Sequence, residues 1–168
     1  MIKLQTREVK DKIASKSHKS LTIIGWREWL DLPDLAIHAI KAKIDTGARS
    51  SALHAFDLET FEANGCSMIR FQVHPYQRNS HYTITAEAEL LEWRHVRSSG
   101  GHSQYRPVIS TQVHLGGYCW PIELTLTNRD VMGFRMLLGR QAVRQKFLVH
   151  PGHSFLLSHR PKKDGYNC

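Results

Sequence analysis

Apolar residues recur at every second position over much of this chain, and a period of two is the signature of half-buried strands. In "LAIHAIKAKID" the residues His38, Ile40, Ala42 and Ile44 share one face. "SMIRFQVH" aligns Ile69, Phe71 and Val73, and "HYTITAEAELLEW" aligns Tyr82, Ile84, Ala86, Ala88 and Leu90. Ahead of them, "LTIIGW" is a short β-branched run, and "WREWLDLPD" carries turn chemistry at Pro33 and Asp34. "ISTQVHL" and "CWPIELTLT" flank Gly116–Gly117, which predicts a hairpin with Trp120, Ile122, Leu124 and Leu126 inward. One segment reads as helix: "RQAVRQKF", after Gly139, has good helix formers and no breaker. "FLVHPGHSFLLS" is expected to close the domain as two short strands around Pro151–Gly152. Many short strands and one short helix predict an all-β barrel or sandwich.

With 168 residues there is room for one domain with a real core, expected over 21–160. Hydrophobic content of 41% and charged content of 23% are ordinary for a soluble protein, and no apolar run is long enough to cross a bilayer. The N-terminal twenty residues lack the apolar stretch of a secretory signal, so the expected location is the cytoplasm.

The net charge of +8 is unevenly spread. Residues 1–20 hold six Lys/Arg against two Asp/Glu, and the tail 161–168 adds +1. The intervening core carries fifteen against twelve and is only mildly basic. Both tails have the composition of disordered segments, and the first can touch ribosomes or RNA weakly through phosphates. Cys66, Cys119 and Cys168 are scattered and odd in number; they form no C-x-x-C pair and read as buried or idle thiols.

Candidate chemistry centres on "KAKIDTGARSSALHA". Asp45 ends an alternating run and meets Thr46, Gly47 and Ala48 at once. A carboxylate that activates water has to be held on a rigid element. Thr46 offers a local hydroxyl, Gly47 permits backbone angles closed to other residues, and Ala48 leaves space for a substrate. About ninety residues later stands Met136-Leu137-Leu138-Gly139-Arg140, followed by the short helix.

Together these segments resemble a retropepsin-type aspartic protease monomer. The longer pattern, with "RPVI" and "LTNRDVMGFRMLLGRQAV", is similar to a bacterial family of retropepsin-like proteins often labelled "ATP-dependent zinc protease". The resemblance implies an all-β, retropepsin-like closed barrel acting as an aspartic endopeptidase. Asp45, with Thr46 and Gly47, would be catalytic, and Leu137, Leu138, Gly139 and Arg140 would support the loop. Such chemistry needs two carboxylates sharing one proton. The sequence holds no second Asp-Ser/Thr-Gly, so the partner is expected from another copy in a two-fold homodimer. The glycine-rich Ser98, Ser99, Gly100 and Gly101 have the composition of a flap over the substrate.

Arg49 departs from the retroviral pattern, which usually has an acid after Asp-Thr-Gly-Ala. A cation beside Ala48 favours acidic side chains or a carboxylate terminus. Some members of the resembled family are associated with enzymes that add glutamates to a ribosomal protein. Trimming of oligo-glutamate or other acidic peptides is therefore the implied activity, with a catalytically silent peptide-binding or regulatory domain as the alternative. Arg106, Arg129 and Arg135 are further basic candidates. No cofactor or metal is expected: H-E-x-x-H and G-x-x-x-x-G-K-[ST] are both absent, and His150, His153 and His159 do not set three ligands on one rigid element.

Overall fold

The computed structural model describes residues 20–97, 101–128 and 133–159. Apart from Ser20, the two basic tails therefore lie outside the described residues, and so do Ser98, Ser99, Gly100 and Arg129.

Eleven strands and one short helix are present among these residues: β1 (Thr22–Gly25), β2 (Arg27–Leu32), β3 (Ile37–Asp45), β4 (Ser51–His54), β5 (Phe56–Ala63), β6 (Cys66–Val73), β7 (Ile84–Arg97), β8 (Ser103–Leu115), β9 (Tyr118–Thr127), β10 (Met136–Gly139), α1 (Arg140–Val143) and β11 (Phe147–His150). Nine strands form one sheet in the order β2-β3-β10-β4-β9-β8-β7-β6-β5, and β1 pairs in parallel with β11.

The mostly-β expectation stands, but the closed barrel does not. The edge of β8 is divided between neighbours. β7 occupies residues 103–109 of that edge, whereas β2 reaches it only at the single pair Asp31↔His114. Between these two contacts the Gln112 N–H donates to the Asp34 carboxylate, 2.8 Å away in the 3-10 turn Pro33–Leu35. That side chain replaces a strand partner, and β5, β6 and β7 continue the sheet outward.

The core is built from the inward faces of the alternating strands. Ile69, Phe71, Val73, Ile109, Leu124 and Leu126 are buried. In β3 the expected face holds for Ile40, Ala42 and Ile44, but His38 is exposed. Ala39 takes a left-handed φ of 60°, and the register to β2 shifts between Leu30 and Leu32. That bulge inverts the alternation, so Ile37 is buried and His38 faces out. The hairpin at Gly116–Gly117 forms as expected, with Gly116 at φ +56°. The helix is shorter than expected, ending at Val143. "FLVHPGHSFLLS" gives one strand, β11, and not two. Cys66 and Cys119 are free and exposed, not buried.

The segment after β11 is held by a buried carboxylate. Glu28, fully buried on β2, accepts the backbone N–H groups of Gly25 at 2.7 Å, Leu156 at 2.9 Å and Ser158 at 3.1 Å, and the Ser158 hydroxyl. A carboxylate buried among so many donors is solvated by them in place of water. Glutamine offers one acceptor oxygen and turns an NH2 toward the same donors. Glu28→Gln is expected to lower the unfolding free energy by about 2–4 kcal/mol, measured by urea denaturation.

Candidate active site

The Asp45 loop owes its position to one close approach. β10 runs parallel to β3 and antiparallel to β4, so it lies between the strand that enters the loop and the strand that leaves it. Gly139 is the register partner of Asp45. A Cβ on Gly139 would stand 2.5 Å from the Ser50 carbonyl carbon and oxygen. Glycine is required by contact, not by dihedral freedom. The Gly139 N–H donates to Ser51 Oγ at 3.1 Å, and Thr125 Oγ1 donates to the Ser51 carbonyl at 2.9 Å.

The start of α1 then captures the loop. The Arg140 N–H donates to the Ala48 carbonyl at 2.8 Å, and the Gln141 N–H to the Arg49 carbonyl at 3.1 Å. First-turn amides have no partner inside a helix, and here the loop satisfies them. The Arg140 guanidinium donates from Nη1 to the Thr46 carbonyl at 3.1 Å. This is the partner that Arg140 takes where the residue after Ala48 is not acidic.

Within the loop, Asp45 Oδ1 accepts the N–H groups of Gly47 and Ala48, each at 3.2 Å. These bonds fix one carboxylate oxygen and leave the half-buried side chain facing a cleft of about 710 Å³. Ala48, Arg49 and Leu137 also line the cleft, whereas Thr46 does not. The opposite wall is the β7–β8 hairpin, which contributes Arg94, Arg97 and Arg106. Arg94 donates to Glu123 at 2.8 Å and to Glu92 at 2.6 Å. The hydrogen bond to Glu123 is the main cause of a raised Arg94 pKa, acting against burial. Arg106 is 5% exposed. Its Nε and Nη2 both donate to Gln104 Oε1, at 3.2 and 2.8 Å.

The structure thus brings Asp45, Gly47, Ala48, Arg49 and Leu137 to one cleft and places Leu138, Gly139 and Arg140 behind the loop. The tip expected to act as a flap falls mostly outside the described residues. Gly101 is exposed there, with φ +82°, and does not line the cleft. Arg94 and Arg97 escape a reading of the sequence. They become cleft residues only through the pairing Arg94↔Arg106 and Arg97↔Ser103, which no local pattern reveals. Arg135 lies elsewhere, its carbonyl accepting the His54 N–H at 2.8 Å. His150 and His153 meet Nδ1 to Nδ1 at 3.1 Å, and no group of three or more metal-ligating side chains is assembled among the described residues.

A mostly-β domain that seats Asp-Thr-Gly-Ala on a strand-glycine-arginine-helix support is a retropepsin-like domain without full barrel closure. Residues 23–160 match the family model RimB-like, described as "Retropepsin-like aspartic endopeptidase RimB", and the chain belongs to that family. A crystal structure of a Legionella pneumophila protein of unknown function is similar, with a TM-score of 0.69 and 29% identity, over 83% of this chain and 100% of that one.

Curated relatives carry another activity in their names. A "Probable alpha-L-glutamate ligase" of Shewanella pealeana is 44% identical over 82% of this chain, and one of Parasynechococcus marenigrum is 48% identical over 80%. The chain spans 30% and 29% of those two relatives. These names correct the expectation of aspartic-peptidase action on peptide bonds: the activity named at this level of identity is glutamate ligation. No helix among the described residues is long and apolar enough to cross a membrane.

The support of the loop is testable without a substrate. Gly139→Ala forces a methyl against the Ser50 backbone and is expected to cost about 2–3 kcal/mol. Gly117→Ala, where a Cβ meets nothing within 4 Å, is the near-neutral control. Thermal melts of the two variants make the comparison.

Proposed function

We propose that residues 23–160 form a glutamyl-chain site. The domain takes a glutamate-rich peptide end into the cleft beside Asp45 and serves the glutamate ligation for which its relatives are named. The observation that carries this reading is the charge of the cleft, where among the described residues Arg49, Arg94, Arg97 and Arg106 stand against Asp45. Such a cleft attracts carboxylates and repels basic peptides. Arg94 is engaged by two glutamates, and its pull on a ligand is correspondingly reduced.

In this reading Asp45 is the group that meets the reacting end of the chain. Its Oδ1 is occupied by the two loop amides, and Oδ2 accepts an N–H or O–H of the substrate. The homodimer expected from the single motif is part of the same proposal, and sedimentation of the wild-type chain is expected to give a dimer mass.

Tetraglutamate is expected to raise the melting temperature of the wild-type chain, and tetraglutamine to leave it unchanged. Asp45→Asn removes a negative side chain that lines the cleft and should bind tetraglutamate at least as tightly. Mass spectrometry of the peptide, with and without ATP and free glutamate, reads the chemistry. The expected result is a gain of one glutamyl unit with the wild type, with one ATP split to ADP and phosphate that carries away the carboxylate oxygen, falling about 100-fold in Asp45→Asn. Equal melting with either peptide overturns the glutamyl reading, and loss of a unit without ATP replaces ligation by hydrolysis.

A further inference from the structure

We infer that a second cavity, of about 230 Å³ between β9 and α1, is a regulatory site for a neutral α-amino acid with an aliphatic side chain, coupled to the cleft through Glu123. The coupling rests on the glutamyl reading; the site does not. The cavity is smaller than the roughly 300–1,000 Å³ that holds drug-sized ligands, which sets the scale of its occupant. Its lining is the complement of a zwitterion. Glu123 offers a carboxylate to an ammonium, and Lys146 offers an ammonium to a carboxylate. Trp120, Ile122 and Ala142, each buried, supply the apolar part of the wall. The Trp120 indole N–H donates to the Ala142 carbonyl at 3.0 Å, so this wall holds its shape and leaves no indole donor unmet. A charged side chain on the ligand would be desolvated against it without a partner, whereas an aliphatic one is favoured there.

The cavity and the cleft are neighbours through two elements. In β4, Ser51 lines the cavity and Ala52 lines the cleft. The second link is a direct bond: Glu123 of the cavity accepts from Arg94 of the cleft, Nη1 to Oε2, at 2.8 Å. That pairing cancels part of the guanidinium charge which the cleft would otherwise present. An ammonium bound to Glu123 competes for its carboxylate and returns charge to Arg94. Glu92 still holds Arg94 through Nε at 2.6 Å, so the guanidinium keeps its place. An amino acid in the cavity therefore strengthens the pull of the cleft on an acidic peptide. By linkage, an acidic peptide that engages Arg94 releases Glu123 and strengthens amino-acid binding by the same factor.

Calorimetric titration of the full chain with L-leucine, and with N-acetyl-L-leucine as the analogue that lacks the ammonium, tests the site. L-leucine is expected to bind at least about 10-fold more tightly than the N-acetyl form. Glu123→Gln and Lys146→Gln, both at exposed positions, should each weaken it about 5–10-fold. Glu89→Gln, an exposed carboxylate outside the cavity, is the control and should stay within about 2-fold. Titration with tetraglutamate, with and without saturating L-leucine, reads the coupling. The wild type should bind the peptide about 5-fold more tightly with L-leucine present. Glu123→Gln leaves Arg94 less neutralised from the start. It should bind tetraglutamate about 5-fold more tightly than the wild type without L-leucine, and gain nothing from its addition. L-leucine that does not bind, that binds no better than its N-acetyl form, or that binds both cavity variants as it binds the wild type, overturns the inference. L-leucine that binds as expected but leaves tetraglutamate affinity unchanged overturns the regulatory coupling and not the glutamyl reading. A wild type that binds neither tetraglutamate nor tetraglutamine, or both equally, overturns the glutamyl reading and the coupling, while the L-leucine titrations still decide the site.

Discussion

The site depends on a contact too close for a side chain. At Gly139, β10 passes within touching distance of the backbone that leaves the Asp45 loop, and that proximity sets everything downstream. Because β10 can lie so near, its last residue pairs with Asp45, and the first amides of α1 fall on the carbonyls of Ala48 and Arg49. The loop is therefore tied at both flanks by backbone hydrogen bonds, and the carboxylate's own bonds to Gly47 and Ala48 complete its orientation. A carboxylate fixed this way loses little entropy when it meets a ligand. A methyl at Gly139 would loosen the whole arrangement from below.

The sheet stays open at another strand, β8. β8 is thirteen residues long and serves two purposes along one edge. Its first half pairs with β7, which carries the arginine wall over the loop; its far end touches β2 at a single pair. In the register set by Asp31↔His114, β2 faces only the far end of β8, so the open edge and the arginine wall occupy separate parts of one strand. The Asp34 carboxylate on the Gln112 amide satisfies the gap between the two pairings, so the open edge carries no orphaned donor there.

Much of this is legible in the sequence where the signal is local. The strand faces of Ile69, Phe71 and Val73, and the hairpin at Gly116–Gly117, follow from period-two burial and from turn chemistry. The coupling of the Asp-Thr-Gly-Ala segment to Leu137-Leu138-Gly139 is legible as two motifs at a set distance. The features that stay hidden are non-local. β5 is mostly exposed on both faces and offers no alternation. Strand β4 is buried at every position and offers none either. His38 reads as inward because a bulge at Ala39 reverses the face without any breaker residue to announce it. Arg94 and Arg106 are twelve residues apart and become neighbours only when β7 and β8 pair. Strand count suggests barrel closure, yet it says nothing of how one long edge is shared.

The character of the cleft also bears on which polyanion it suits. Phosphate chains and glutamyl chains are both drawn to arginines, so charge alone does not separate them. Single-stranded nucleic acid draws further affinity from stacking its bases on aromatic faces. The aromatic pair on this hairpin, Trp93 and Tyr105, stacks at 5.7 Å between ring centroids, but neither residue lines the cleft. The space beside Asp45 is walled by Ala48, Ala52, Val96, Thr125 and Leu137, small or aliphatic groups that fit a peptide backbone and its methylene stems. A glutamate side chain has such a stem, ending in a carboxylate that reaches an arginine. The one aromatic ring that lines the cleft among the described residues, His95, lies against Tyr105 at 4.7 Å between centroids, and the rest of the wall is small or aliphatic, a surface suited to methylene stems more than to stacked bases.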